Sequence, residues 1–267
     1  MSAAPGPGVV GVLGGMGPLA TVDFMHKVVA ATTAAIDQEH VPMVVSCIPQ
    51  VPDRIAAFRG AGASPLPEMV ASGRRLVSAG AGLVVMPCNT AHIWFDEVQG
   101  ELALPMLHIV DAALEEVAEV VGSGGDASVG LLATDATLAS GLYVNRAAAC
   151  AGARRVRWLQ PTATEVLDWV MPGIAAVKAG RLEAGGELLA QAAQALRRRG
   201  AAAVVLGCTE IPVVLDEARA GMPVVDATAA LAKRVVAWSC RQRGGDAAGR
   251  PARAGNAAKA GDPADPE

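Results

Sequence analysis

Short apolar, β-branched segments run through this chain, and three of them occur twice at nearly one spacing. Val10-Gly11-Val12-Leu13 returns as Val129-Gly130-Leu131-Leu132, an offset of 119. Leu83-Val84-Val85-Met86-Pro87-Cys88-Asn89-Thr90 returns as Ala203-Val204-Val205-Leu206-Gly207-Cys208-Thr209-Glu210, an offset of 120. Pro105-Met106-Leu107-His108 returns as Pro223-Val224-Val225-Asp226, an offset of 118. Landmarks in the same order at one offset make two similar halves. Strands are expected at Val9–Leu13, Met43–Cys47, Leu83–Met86, Met106–Ile109, Val129–Leu132, Val156–Leu159, Val204–Leu206 and Val224–Val225. Helical spacing falls between them, over Pro18–Ala35, Leu66–Ala79, Asp111–Val121, Ala139–Ala151, Thr164–Ala179, Leu182–Arg199 and Thr228–Gln242. Apolar strands without polar alternation, each followed by a helix, predict parallel sheets covered on both faces. The expected fold is α/β: two similar doubly wound domains related by pseudo-twofold symmetry, with a cleft between them. The first comprises residues 1–111 plus 226–243, a returning C-terminal helix, and the second 112–225. Residues 244–267, rich in Gly, Ala, Pro, Asp and Arg without periodicity, read as a disordered tail.

Composition narrows the function. With 52% hydrophobic and 18% charged residues over 267 positions, the chain can bury a real core. A net charge of −4 and 3% aromatics offer neither a phosphate-binding surplus nor base-stacking platforms, so no nucleic-acid partner is expected. The N-terminus lacks a basic stretch ahead of its apolar run, and no run reaches the roughly 18 residues of a membrane span. A cytoplasmic protein without a membrane partner is expected. The five cysteines, at 47, 88, 150, 208 and 240, form no CxxC pair or Cys/His cluster, so neither a metal site nor a disulfide framework is expected.

Both halves place a cysteine where a buried strand should end and a helix begin: Cys88 before Asn89-Thr90, and Cys208 before Thr209. Ligands bind at this carboxyl edge of open parallel sheets. Asn and Thr are helix-capping types, and Pro212 fits a first helical turn. Each sulfur is then expected near free backbone N–H groups at the positive end of a helix dipole, a position that favours thiolate and can hold a carboxylate. Lowering a thiol by two pH units takes about 2.7 kcal/mol of differential stabilisation. If the halves face each other, the two sulfurs look into one cleft from opposite sides. A carbon held between them loses a proton on one face and gains one on the other, which inverts it. This is two-base racemisation, with one thiol ionised at a time. Cys47, Cys150 and Cys240 lack this setting and read as packing residues.

Six motifs carry a family resemblance: GVLGGMGPLAT (11–21), VPDR (51–54), MPCNTAH (86–92), GLLATDAT (130–137), VKAG (177–180) and LGCTE (206–210). Together they resemble aspartate racemases of the Asp/Glu racemase superfamily, from about Val9 to Arg241. The resemblance implies a cofactor-independent homodimer with a small amino-acid substrate held between two α/β domains. The family's catalytic cysteines match Cys88 and Cys208. Asn89, Thr90 and Thr209 match positions holding the substrate's amino and α-carboxylate groups, and Arg54 and Lys178 match cations for its side-chain carboxylate. Thr134 matches a position lining the pocket, and Met16 of GGMGP is counted with the substrate-binding residues. A dicarboxylate does need a second anion clamp, for which Arg supplies a fork and Lys a point charge. His92, four residues past Cys88, is expected to be structural.

Two residues depart from the family pattern beside those clamps. Ile55 stands where Thr is frequent and Ile174 where Tyr is common, while Pro172 points to an altered helix start. Neither touches the sulfurs, so the reaction class stands and the breadth of substrate stays open. Glutamate racemases resemble DSGxGG and GCTH where this chain has GGMGP and GCTE. Arylmalonate decarboxylases lack one cysteine; hydantoin racemases and maleate isomerases keep both and remain alternatives, as does an inactive binding descendant. A nucleotide-binding reading of GVLGGMG fits GxGxxG only loosely. It also wants an acidic residue after the second strand, which instead ends Ser46-Cys47-Ile48.

Overall fold

The computed structural model describes residues 8–122, 127–150 and 156–244; the expected disordered tail, from 245 on, lies outside them. Strands β1 (Val10–Gly14), β2 (Met43–Cys47), β3 (Leu83–Val85) and β4 (Met106–Leu107) form one parallel sheet in the order β2-β1-β3-β4. Strands β5 (Ser128–Ala133), β6 (Arg157–Leu159), β7 (Ala203–Gly207) and β8 (Val224–Asp226) form a second in the order β6-β5-β7-β8. The orders are equivalent, so the repeated segments occupy matching strands, with Val10 beside Leu83 in one sheet and Val129 beside Ala203 in the other. Strand order reverses between β1 and β3, and again between β5 and β7. Sheets wound this way open a crevice at the carboxyl ends of those strands.

Twelve helices cover the sheets among the described residues. The first half carries α1 (Pro18–Ala31), α2 (Arg54–Phe58), α3 (Leu66–Ser78), α4 (Phe95–Leu102) and α5 (Ile109–Val121). The second carries α6 (Asp135–Ala139), α7 (Leu142–Ala149), α8 (Ala163–Glu165), α9 (Met171–Lys178), α10 (Leu182–Arg198), α11 (Glu217–Ala220) and α12 (Ala227–Gln242). The strands lack polar alternation because both faces are buried. Val10, Val12 and Val85 face a central core shared with Val129, Leu131 and Val205 of the other sheet and with Leu114 and Leu231 of α5 and α12. Leu13 and Val84 face an outer layer with Met69 and Leu76 of α3, and Leu132 and Leu206 face another with Leu189 and Leu196 of α10.

Two helices tie the halves together. Helix α5 leaves the first sheet and packs on β7 and β8 of the second, while α12 leaves the second and packs on α1 and α5. Their N-caps are the repeat-related His108 and Asp226. His108 Nδ1 accepts the Val110 N–H at 3.1 Å, and Asp226 Oδ1 accepts those of Thr228 and Ala229 at 2.8 and 3.1 Å. This capping starts α5 at Ile109, a residue expected in a strand. The helix expected over Ala139–Ala151 begins only at Leu142, as α7, because Gly141 turns left-handed at φ +68° between it and α6, a short helix that was not expected. The expected altered helix start at Pro172 takes the form of a wide π turn, Val166–Val170, joining α8 to α9 just before this residue without an N–H. No helix among the described residues is long and apolar enough to cross a membrane.

His92 belongs to this framework. It is buried, its Nδ1–H donates to the Cys88 carbonyl at 2.8 Å, and its Nε2 accepts the Ile109 N–H at 3.1 Å. One imidazole therefore pins the end of β3 to the start of α5, and its ring packs against Phe95 and His108. Burial lowers His92 from 6.5 to about 4, against the raising effect of its bond to Cys88, and burial lowers His108 as well. A group neutral when folded and charged when unfolded contributes stability that is complete above pH 6.5 and is lost as pH falls toward 4. Denaturant unfolding should show a loss of about 3 kcal/mol from His92 across that window, with His108 acting in the same direction. The profile of His92→Gln should be shallower. Wild-type stability that stays level from pH 6.5 to 4 contradicts this role.

Candidate active site

The chain segments leaving β1, β3, β5 and β7 meet in one cleft. Met16 lines it from the β1 loop; Cys88, Asn89 and Thr90 follow β3; Thr134 follows β5; Cys208 and Thr209 follow β7. Arg54 enters from the start of α2 and Lys178 from the end of α9. Every residue singled out from the sequence as a site residue is thus on this wall, and both crevices of the two sheets open into it. The free interior is about 10 Å³, room for about one water molecule, so an amino acid fits only when the walls move. Helix α2 contacts α6 beside the cleft, and Arg59 and Asp135 form an ion pair between them.

Cys88 and Cys208 are buried residues, 6% and 5% exposed. The backbone N–H groups of Ala91 near Cys88 and of Glu210 near Cys208 each favour the thiolate. The expected dipole effect does not prevail, because short 3₁₀ turns follow: Thr90–Trp94 after Cys88 and Ile211–Val213 after Cys208. Burial dominates instead. It pushes the Cys88 thiol up, with Arg54 opposing it, Glu210 adding to it, and Lys178 a smaller opposing influence. Burial pushes Cys208 well up, with the neighbouring Glu210 reinforcing it and Lys178 opposing. Burial alone would lower Lys178, but Glu210 and then the two cysteines outweigh it, and its ammonium form is held firmly.

The capping role expected of Asn89 and Thr90 is also replaced, since neither side chain caps the turn that follows. Asn89 Oδ1 accepts the buried Tyr143 hydroxyl at 2.6 Å, leaving Nδ2 without a partner. Thr90 Oγ1 lies 2.9 Å from Thr134 Oγ1 and 3.0 Å from Thr137 Oγ1, a triad of hydroxyls joining the halves. Arg54 Nη1 donates to the carbonyls of Val51 and Pro52, both at 3.1 Å, while its buried Nε has no partner. Thr209 Oγ1 is buried and unpartnered too. Arg54 Nε, Asn89 Nδ2 and Thr209 Oγ1 thus retain hydrogen-bonding capacity on residues lining one cleft, an arrangement that suits a polar, anionic ligand.

Three neighbours had no role in the sequence-based expectations. Glu210 lines the cleft, only 3% exposed; its Oε2 accepts from the Cys208 thiol at 3.1 Å and its Oε1 from the Gly17 N–H at 3.2 Å. Tyr143 and Thr137 fix Asn89 and Thr90 from the other half. The single tyrosine of the chain was the available signal, since a buried phenol needs a polar partner. Ile55 lines the cleft beside Arg54, whereas Ile174 lies in the outer core with Val170 and Leu189.

Residues 13–235 match the family model for Asp/Glu/hydantoin racemase. The broad specificity amino-acid racemase RacX of Bacillus subtilis is 28% identical over 241 residues, covering 85% of this chain and 96% of the relative. The solved aspartate racemase of Picrophilus torridus is 31% identical, with a TM-score of 0.75 over 88% of this chain and 97% of its own. A Francisella tularensis glutamate racemase structure shares the fold, at 15% identity and a TM-score of 0.63 over 94% of this chain and 86% of its own. Two matching sheets, a cleft holding both strand-end cysteines, and a match across most of the sequence agree: the chain belongs to the Asp/Glu/hydantoin racemase family.

Proposed function

We propose that the protein racemises an acidic amino acid, L-aspartate to D-aspartate first among them, by a two-base thiol/thiolate mechanism without a cofactor. The observation that carries this reading is the single cleft walled by Cys88 from one half and Cys208 from the other. One sulfur, ionised, removes the α-proton, and the electron pair stays on the substrate carbon. The opposite thiol delivers its own proton to the other face. General acid–base work of this kind contributes roughly 10²–10⁴-fold per group. Asn89, Thr90 and Thr209 hold the amino and α-carboxylate groups, with Met16 and Thr134 shaping the wall. Arg54 and Lys178 clamp the side-chain carboxylate, and the walls close over the carbanion. A reducing cytoplasm, where both thiols stay free, suits this chemistry, and we assign the protein to that compartment as a homodimer.

A broader substrate range is the second reading. It is favoured by Ile55, an apolar side chain on the wall beside Arg54, and by the Bacillus relative described as broad in specificity.

Cys88→Ala and Cys208→Ala should each cut racemisation by roughly 10³-fold. Each variant should still exchange the α-proton of one enantiomer with solvent, measured by mass spectrometry. Single variants that racemise at the native rate contradict the two-base mechanism. Arg54→Ala and Lys178→Ala should lower kcat/KM for aspartate by roughly ten- to a hundred-fold, the worth of a charge-assisted contact, and lower it far less for alanine. Equal losses on both substrates remove the side-chain clamp and favour the broader reading.

A further inference from the structure

The two halves differ in charge where they otherwise match. In the repeat, Cys88-Asn89-Thr90 stands against Cys208-Thr209-Glu210, so a hydroxyl in one half corresponds to a buried carboxyl group in the other. Thr90 is committed to Thr134 and Thr137. Glu210 is engaged at both oxygens, one by the Cys208 thiol and the other by Gly17 of the opposite half. A carboxylate fixed at hydrogen-bond distance from a sulfur favours the thiol, which can donate to it, and repels the thiolate, which cannot. Around Cys88 the strongest charge influence is the cation Arg54. Glu210 also acts on Cys88, and the other titratable neighbours are Lys178, which faces both sulfurs, Asp53, which lines the cleft and caps α2, and Tyr143, whose buried phenol stays neutral.

Resting on the racemase reading above, we propose that Glu210 is a positioning residue that fixes the resting proton distribution: Cys208 keeps its proton, and Cys88 is the sulfur that ionises. In one turnover Cys88 takes the α-proton and Cys208 gives its own to the opposite face. Cys208 is left as a thiolate beside Glu210, and the proton on Cys88 must return to Cys208 before the same enantiomer is processed again. No electrons are exchanged with any other reactant.

Alkylation of the full-length protein by iodoacetamide from about pH 6 to 11, read at the Cys88 and Cys208 peptides by mass spectrometry, follows each thiolate separately. The Cys88 midpoint should lie at least about one pH unit below that of Cys208. In Glu210→Gln the Cys208 midpoint should fall by about one unit, seen as roughly ten-fold faster alkylation at a fixed pH below both midpoints, with Cys88 moving less. Glutamine keeps an acceptor oxygen for Gly17, removes the charge, and sets an amide N–H in place of the oxygen that accepts from Cys208, both of which favour the thiolate there. Equal midpoints in the native protein, or Cys208 ionising first, overturn the proposal with no variant needed. So does a Glu210→Gln protein with a native circular dichroism spectrum and an unchanged Cys208 midpoint. The readout needs no substrate, so a native protein that shows the ordering yet racemises no amino acid overturns the racemase reading and leaves the role of Glu210 in place.

Discussion

Strand ends decide this molecule. In each parallel sheet the order reverses beside a central strand, and the chain leaves that strand with a cysteine: Cys88 after β3, Cys208 after β7. Both strands are buried on both faces, so core packing over valine and leucine fixes the strand ends from which each cysteine follows. Helices α5 and α12 cross between the sheets and bring the two strand ends to one cleft. Both cysteines are buried, and the cleft is small enough inside that a substrate must move its walls.

Electrostatics within the cleft follow from that burial. The position of each cysteine at the start of a helical turn suggests an easily formed thiolate. The turns are short, however, and desolvation prevails, so both thiols lie above their ordinary values. The proposed difference between them rests on Arg54, the strongest charge acting on Cys88, and on Glu210, which accepts directly from the Cys208 thiol. For chemistry that uses one base and one acid at a time, a difference matters more than a low value for both.

Much of the architecture was legible in the sequence because it depends on local pattern. All eight strands were expected within a residue or two, and the repeat predicted that the sheets would match. The short helices α2, α4, α6 and α11 were missed, and Gly141 displaced the start of the next helix to Leu142, since short elements and one left-handed residue leave little periodic signal. At the site, the repeat and the motif resemblance brought out most of the residues that line the cleft, though not Glu210 or Asp53. The partners that hold them were not legible: Tyr143 reaches Asn89 across 54 residues and Glu210 reaches Gly17 across 193, distances over which spacing says nothing. Asn89 and Thr90 look like caps in sequence and act as anchor points in space.

The central claim is that two sulfurs work on opposite faces of one carbon. Incubating the native protein in deuterated water with L-aspartate alone, then D-aspartate alone, and separating the enantiomers at early times with mass analysis, tests it most directly. The account predicts that the newly formed enantiomer carries solvent deuterium at the α-carbon while the remaining substrate keeps its proton. Early labelling of substrate and product to the same extent would show one base serving both faces, and would contradict the account.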